Sequence, residues 1–193
     1  VELNERILKK IEKLRKIYGE RSDLEVLEMV LDDKIFEMEL SKPKRTSSIT
    51  SENPRYIDRA KREHIYAAWI WEFYILTKLD RYLVFFETYL FMLKKNNHSS
   101  MRRSHSKTLW YFLKNKNTSD TLSKAQKERV ISICLDWIIT ETKAAPINFC
   151  IKILQLLKNE FPEIQEYLED LLLHSKREFS KGVFPVIRSV FKN

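Results

Sequence analysis

Three groups of basic residues have the types and spacing to hold phosphate. Arg55, Arg59 and Arg62 stand four and three apart, so one helix face presents all three. Arg102, Arg103, His105 and Lys107 open a later segment, and Lys42, Lys44 and Arg45 lie in a polar stretch. Such groups neutralise phosphates, and exposed aromatics beside them stack on bases. The candidate nucleic-acid contacts are therefore Arg55, Arg59, Arg62, Arg102, Arg103 and Lys107. The charge is regional: residues 41–116 hold sixteen Lys/Arg and six Asp/Glu, against eight and eleven in 1–40. Residues 117–193 are nearly balanced, at eleven and ten, so the net +8 arises in the middle third. The same excess also describes a solvated surface that pairs with the acidic N-terminal segment. Both readings stay open.

Other chemistry is sparse. His98 and His105 are seven apart, about 10.5 Å along a helix, too far to share one metal ion. No Cys or carboxylate completes a familiar zinc spacing. His64, His98, His105 and His174 are expected in turns or at the surface. Asp136 beside Trp137 has the form of a carboxylate against an aromatic wall, although a core Trp with a solvated Asp is the plainer reading. No nucleophile elbow, P-loop, EF-hand, zinc-protease helix or CxxC occurs. No catalytic residue, metal site or cofactor is expected. Cys134 and Cys150 lie in apolar runs and are expected as buried free thiols, which suits a reducing cytoplasm. No signal-peptide pattern opens the sequence, and no uncharged run reaches the roughly 18–20 apolar residues of a membrane span. No membrane association is expected.

The elements that position these residues are expected to be helices. The chain has 193 residues with 44% apolar and 12% aromatic content, but only two Gly and five Pro. That is too few turn residues for an all-β fold. Apolar residues at three- and four-residue spacing predict helices over about 3–18 and 24–40. A polar loop over 41–54 follows, then a long helix from Arg55 to Lys78. Further helices are predicted over about 80–95, 100–115 and 123–141, the last opened by a Ser123/Gln126 capping box. Pro146 and Pro162 fit the first turns of helices reaching about 159 and 174, and a final helix covers about 182–191. The whole chain, 1–193, is expected to form one helical domain: N-terminal helices over 1–40, the 41–54 loop, and stacked helix pairs over 55–193.

Residues 66–110 match 148–192 in apolar pattern when shifted by 82 positions. Trp71 falls on Ile153, Leu79 on Phe161, Phe86 on Leu168, Tyr89 on Leu171 and Leu90 on Leu172. Met101 falls on Val183 and Leu109 on Phe191. Few residues are identical, so the match is one of pattern. Recurrence at fixed spacing predicts helical units stacked side by side.

Four segments carry a resemblance: residues 67–70 (AAWI), 97–103 (NHSSMRR), 133–138 (ICLDWI), and 153–157 with 161–164 (ILQLL, FPEI). Together they resemble small HEAT-like repeat proteins over roughly residues 55–192. The resemblance implies an all-α fold, a right-handed α-α superhelix of antiparallel helix pairs of HEAT/armadillo-like type. A related group, the DNA alkylation repair glycosylases, cradles duplex DNA on such a solenoid with aromatic, acidic and basic residues. Trp69, Trp71, Trp110, Asp136 and Trp137 are ingredients of that kind, but their spacing reproduces no catalytic pattern of the group. The expected function is a non-enzymatic binding scaffold for a protein or peptide. The alternative is DNA or RNA binding through the basic middle third.

Overall fold

The computed structural model describes residues 86–94 and 98–191, together with Ala68, Glu72, Leu79 and Leu83. The helices expected over 3–18 and 24–40, the 41–54 loop, and Arg55, Arg59 and Arg62 lie outside the described residues.

The described elements are all helical. They are α1 (Phe86–Lys94), α2 (Ser99–Lys114), the single-turn α3 (Lys116–Ser119), α4 (Lys124–Thr140), α5 (Ala144–Leu157), α6 (Ile164–Glu169) and α7 (Phe184–Val190). α6 passes directly into a π turn, Asp170–His174.

Local chemistry sets the boundaries. Asn115 ends α2, and its side chain accepts from the Asn117 and Thr118 amides to open α3. At α4 the capping box forms as expected: Ser123 Oγ accepts from the Gln126 amide at 3.2 Å, and Gln126 Oε1 accepts from the Ser123 amide at 3.0 Å. Pro146 lies in the first turn of α5, where its missing N–H has no partner to lose. Pro162, expected in the first turn of a helix, instead precedes α6, in a turn closed by the Gln165 amide on the Pro162 carbonyl. Pro185 stands in the first turn of α7.

α5 is the central helix. It packs against α2, α4, α6 and α7, and α4 packs in turn on α1. Three residues join α4 to α5, so these two form a helical hairpin. Because α5 has neighbours on several sides, Ile147, Cys150, Ile151, Ile153, Leu154 and Leu157 are all buried. Trp137, Phe86, Phe112, Leu109 and Leu168 complete one continuous apolar core. Cys134 and Cys150 are buried and free, as expected.

Of the positions paired by the 82-residue shift, Phe86 and Leu168, Leu90 and Leu172, and Met101 and Val183 are buried. The elements around them differ. α1 is α-helical throughout, whereas its counterpart passes into a π turn. The 16 residues of α2 correspond to only seven in α7.

Candidate functional site

The first eight residues of α2, Ser-Ser-Met-Arg-Arg-Ser-His-Ser, are mostly polar, yet Arg102, Ser104, His105 and Ser106 are buried, as is Thr108 beyond them. Buried polar groups cost stability unless paired. Two pairings organise this half of the helix.

The first centres on Glu141, 2% exposed, between the end of α4 and the start of α5. One carboxylate oxygen accepts from Ser99 Oγ at 2.9 Å, and from the Thr142 and Lys143 amides at 2.7 and 2.9 Å. The other faces Arg102 Nη1 at 3.8 Å. Arg102 also donates to Thr140 Oγ1 at 3.0 Å and lies over the Trp137 ring, 5.5 Å from its centroid. Arg177 returns from beyond the π turn to donate to the Glu141 carbonyl. One carboxylate thus joins the N-terminal ends of α2 and α5, where helix dipoles favour negative charge.

The second pairing joins α2 to α1. The Tyr89 hydroxyl lies 2.8 Å from His105 Nδ1, with the rings edge to face at 5.5 Å. Burial lowers the His105 pKa from 6.5 to about 3, so the ring is neutral at pH 7. The expectation of a surface or turn histidine is therefore wrong for His105, which is 1% exposed. It adds no positive charge to its neighbours.

The phosphate candidates on α2 separate accordingly. Arg102 is 5% exposed and faces inward on Trp137 and Glu141. Arg103 is exposed. Lys107 is half-buried and pairs with the buried carboxylate of Glu72. The structure does not bring these three onto one open face. Asp136 and Trp137 also part company: the carboxylate is exposed, and the indole is fully buried in the core.

The second half of α2 presents a different face. Lys107, Trp110, Tyr111 and Lys114 follow at i, i+3, i+4 and i+7, which keeps them on one side. α5 packs beside this face and adds Phe149 and Lys152. The Trp110 ring lies 5.0 Å from Tyr111 and 5.9 Å from Phe149, tilted by 58° and 52°. The Lys114 ammonium is 4.6 Å from the Trp110 centroid. That of Lys152 is 5.9 Å from Trp110 and 5.6 Å from Phe149. Lys107 lies 5.8 Å from Tyr111. All three rings are partly exposed, and Lys114 and Lys152 are exposed. Neither of these two lysines is in an ion pair among the described residues. Exposed cation–π contacts are worth only about 0.5–1 kcal/mol, so these ammonium groups can leave the rings for an anion at small cost. Of this cluster, the sequence alone points to Lys107 and Trp110. The spacing of Tyr111 and Lys114 is local, whereas Phe149 and Lys152 arrive from α5 only through packing.

Among the described residues, no three His, Cys, Asp or Glu side chains are grouped to hold a metal ion. No helix there is long and apolar enough to cross a membrane. No protein-family model, curated protein or solved structure matches the chain.

Proposed function

We propose that the chain is a non-enzymatic binding scaffold of HEAT-like type, a superhelix of stacked helix pairs that engages a protein or peptide along its surface. The α4–α5 hairpin, with α6 and α7 added against α5, supports the stacking. The observation that carries the binding role is the contrast between interior and surface. Inward-facing ionisable groups of α2 are engaged by residues of other segments: Arg102 by Glu141, Lys107 by Glu72, His105 by Tyr89. Outside, large apolar side chains are left uncovered on successive elements: Ile139, Leu156, Leu173 and Phe184, from 44% to 53% exposed. A partner that covers these side chains would remove their apolar area from water. The buried free thiols fit a reducing, cytoplasmic setting.

A photo-crosslinking amino acid at Leu156 or Phe184 tests this reading, with exposed Ser132 on α4 as control. The expected result is a discrete polypeptide adduct from the first two positions, competed by excess unlabelled protein, with the Phe184 adduct weakened by Leu156→Glu. Equal labelling from all three positions counts against it.

Nucleic-acid binding is the second reading. The lysine–aromatic face of α2 and α5 favours it, whereas the inward-facing Arg102 does not.

A further inference from the structure

We infer that Trp110, Tyr111 and Phe149, with Lys107, Lys114 and Lys152, form a stacking site for single-stranded nucleic acid. This deepens the nucleic-acid reading and does not depend on a protein partner binding elsewhere. Three observations converge on this ligand. The rings meet at 52° and 58°, so none covers another by parallel stacking. The groups placed over Trp110 and Phe149 are the exposed ammonium ends of Lys114 and Lys152, while Lys107, beside Tyr111, is held by Glu72. Lys114 and Lys152 have no carboxylate partner among the described residues.

A base sliding onto Trp110 displaces Lys114 and Lys152 from the ring. The freed ammonium groups then stand beside the phosphates flanking that base. Ring and cation serve one ligand, which neither a simple polyanion nor an apolar peptide would exploit. The bases of a duplex are stacked on one another and offer no free face, so the strand must be single. Lys107 and Lys114 bracket the two rings of α2 over seven residues, about 10.5 Å along the helix. That span suits a short stretch of single strand, held without sequence readout.

The test uses the full chain with a labelled short oligothymidylate, a duplex of equal length and a poly-glutamate peptide, followed by anisotropy across a salt series. Oligothymidylate is expected to bind more tightly than the other two and to quench tryptophan emission. Each phosphate neutralised on a single strand contributes about 0.7 to the salt slope. The Lys114→Gln, Lys152→Gln double variant should therefore lower the slope by about 1.4 while its melting transition stays in place, since both side chains are exposed. Trp110→Ala should weaken binding roughly tenfold, within the range for loss of one stacked base. Trp110→Phe guards against misfolding: it keeps most of the affinity but abolishes the quench. Poly-glutamate or duplex bound as tightly as the single strand overturns the site, as does an unchanged salt slope in the double variant. Either failure leaves the protein-scaffold reading standing, because that rests on adducts at Leu156 and Phe184.

Discussion

Arg102 and Glu141 face each other at 3.8 Å inside the protein, their side chains only 6% and 2% exposed. A buried pair of this kind is costly to break from one side, because the survivor keeps its charge without its partner. Glu141 also accepts from Ser99 and from the two amides that lead into α5. Glu141→Ala and Arg102→Ala should each lose about 3–5 kcal/mol of unfolding free energy, the range for one-sided removal of a buried ion. Together they should cost less than the sum of the two. Urea unfolding of the four species measures this, and a single-variant loss under about 1 kcal/mol removes the pair from the framework.

Arg103 supplies the contrast. It is the next residue on α2, is exposed, and belongs to the same basic run. Arg103→Glu should stay within roughly 0.5 kcal/mol of the parent in unfolding free energy, as surface changes do. Arg102→Glu should unfold much of the protein. A charge reversal at both positions therefore reports on folding before it reports on phosphate contact, and only the Arg103 half is informative about binding.

His105 makes stability depend on pH. Its folded pKa, about 3, lies below the unfolded 6.5 because burial disfavours the charged ring. Between those values the unfolded chain binds a proton that the folded one does not, so stability falls as pH falls through that window. One proton bound only by the unfolded chain costs about 1.4 kcal/mol for each step of one in pH, so lowering the pH from 7 to 5 should remove about 2 kcal/mol through this group. Chemical unfolding at the two pH values, compared with His105→Gln, isolates the effect. Equal pH dependence in parent and variant would show that His105 is not its source.

Features set by near neighbours were legible in the sequence. The Ser123/Gln126 box needs two residues three apart, and it forms where those residues predict. Cys134 and Cys150 lie in apolar runs, and both are buried. α2 and α4 fall within one residue of their expected bounds. His105 was misjudged because its own segment is polar, while the groups that enclose it come from elsewhere. Tyr89, its partner, is sixteen residues away on another helix. Glu141 was missed for the same reason, since three helix ends meet there only after packing. The helix expected to reach about residue 174 is α-helical only to Glu169 and then widens into a π turn. No local residue signals that change.

The two cysteines should be unreactive in the folded protein. The Cys134 thiol is pushed up by burial and by the neighbouring Cys150, with which it hydrogen-bonds. Thiolate is the reactive species, so both depletion of thiolate and lack of access slow alkylation. Native protein should consume almost no thiol reagent within minutes, and denatured protein two equivalents, one for each cysteine. Fast native labelling of either thiol would mean that the α4–α5 interface opens readily.

Gly182 controls how the last helix docks. Its carbonyl accepts from Asn148 Nδ2 at 3.0 Å, which fixes the approach to α7 against α5. A methyl group at Gly182 would stand 3.0 Å from the Ala144 Cβ, closer than ordinary carbon contact. Both carbons are bound directly to backbone, so relief requires the Gly182 turn and the start of α5 to move apart slightly. Gly182 is exposed, so Gly182→Ala should cost less than overpacking a core does, about 1 kcal/mol. Ala144→Gly in the same chain removes the opposing methyl group and should return part of that loss, a coupling expected only of residues in contact. Additive effects in that double variant would show that the strain falls elsewhere in the Gly182 turn.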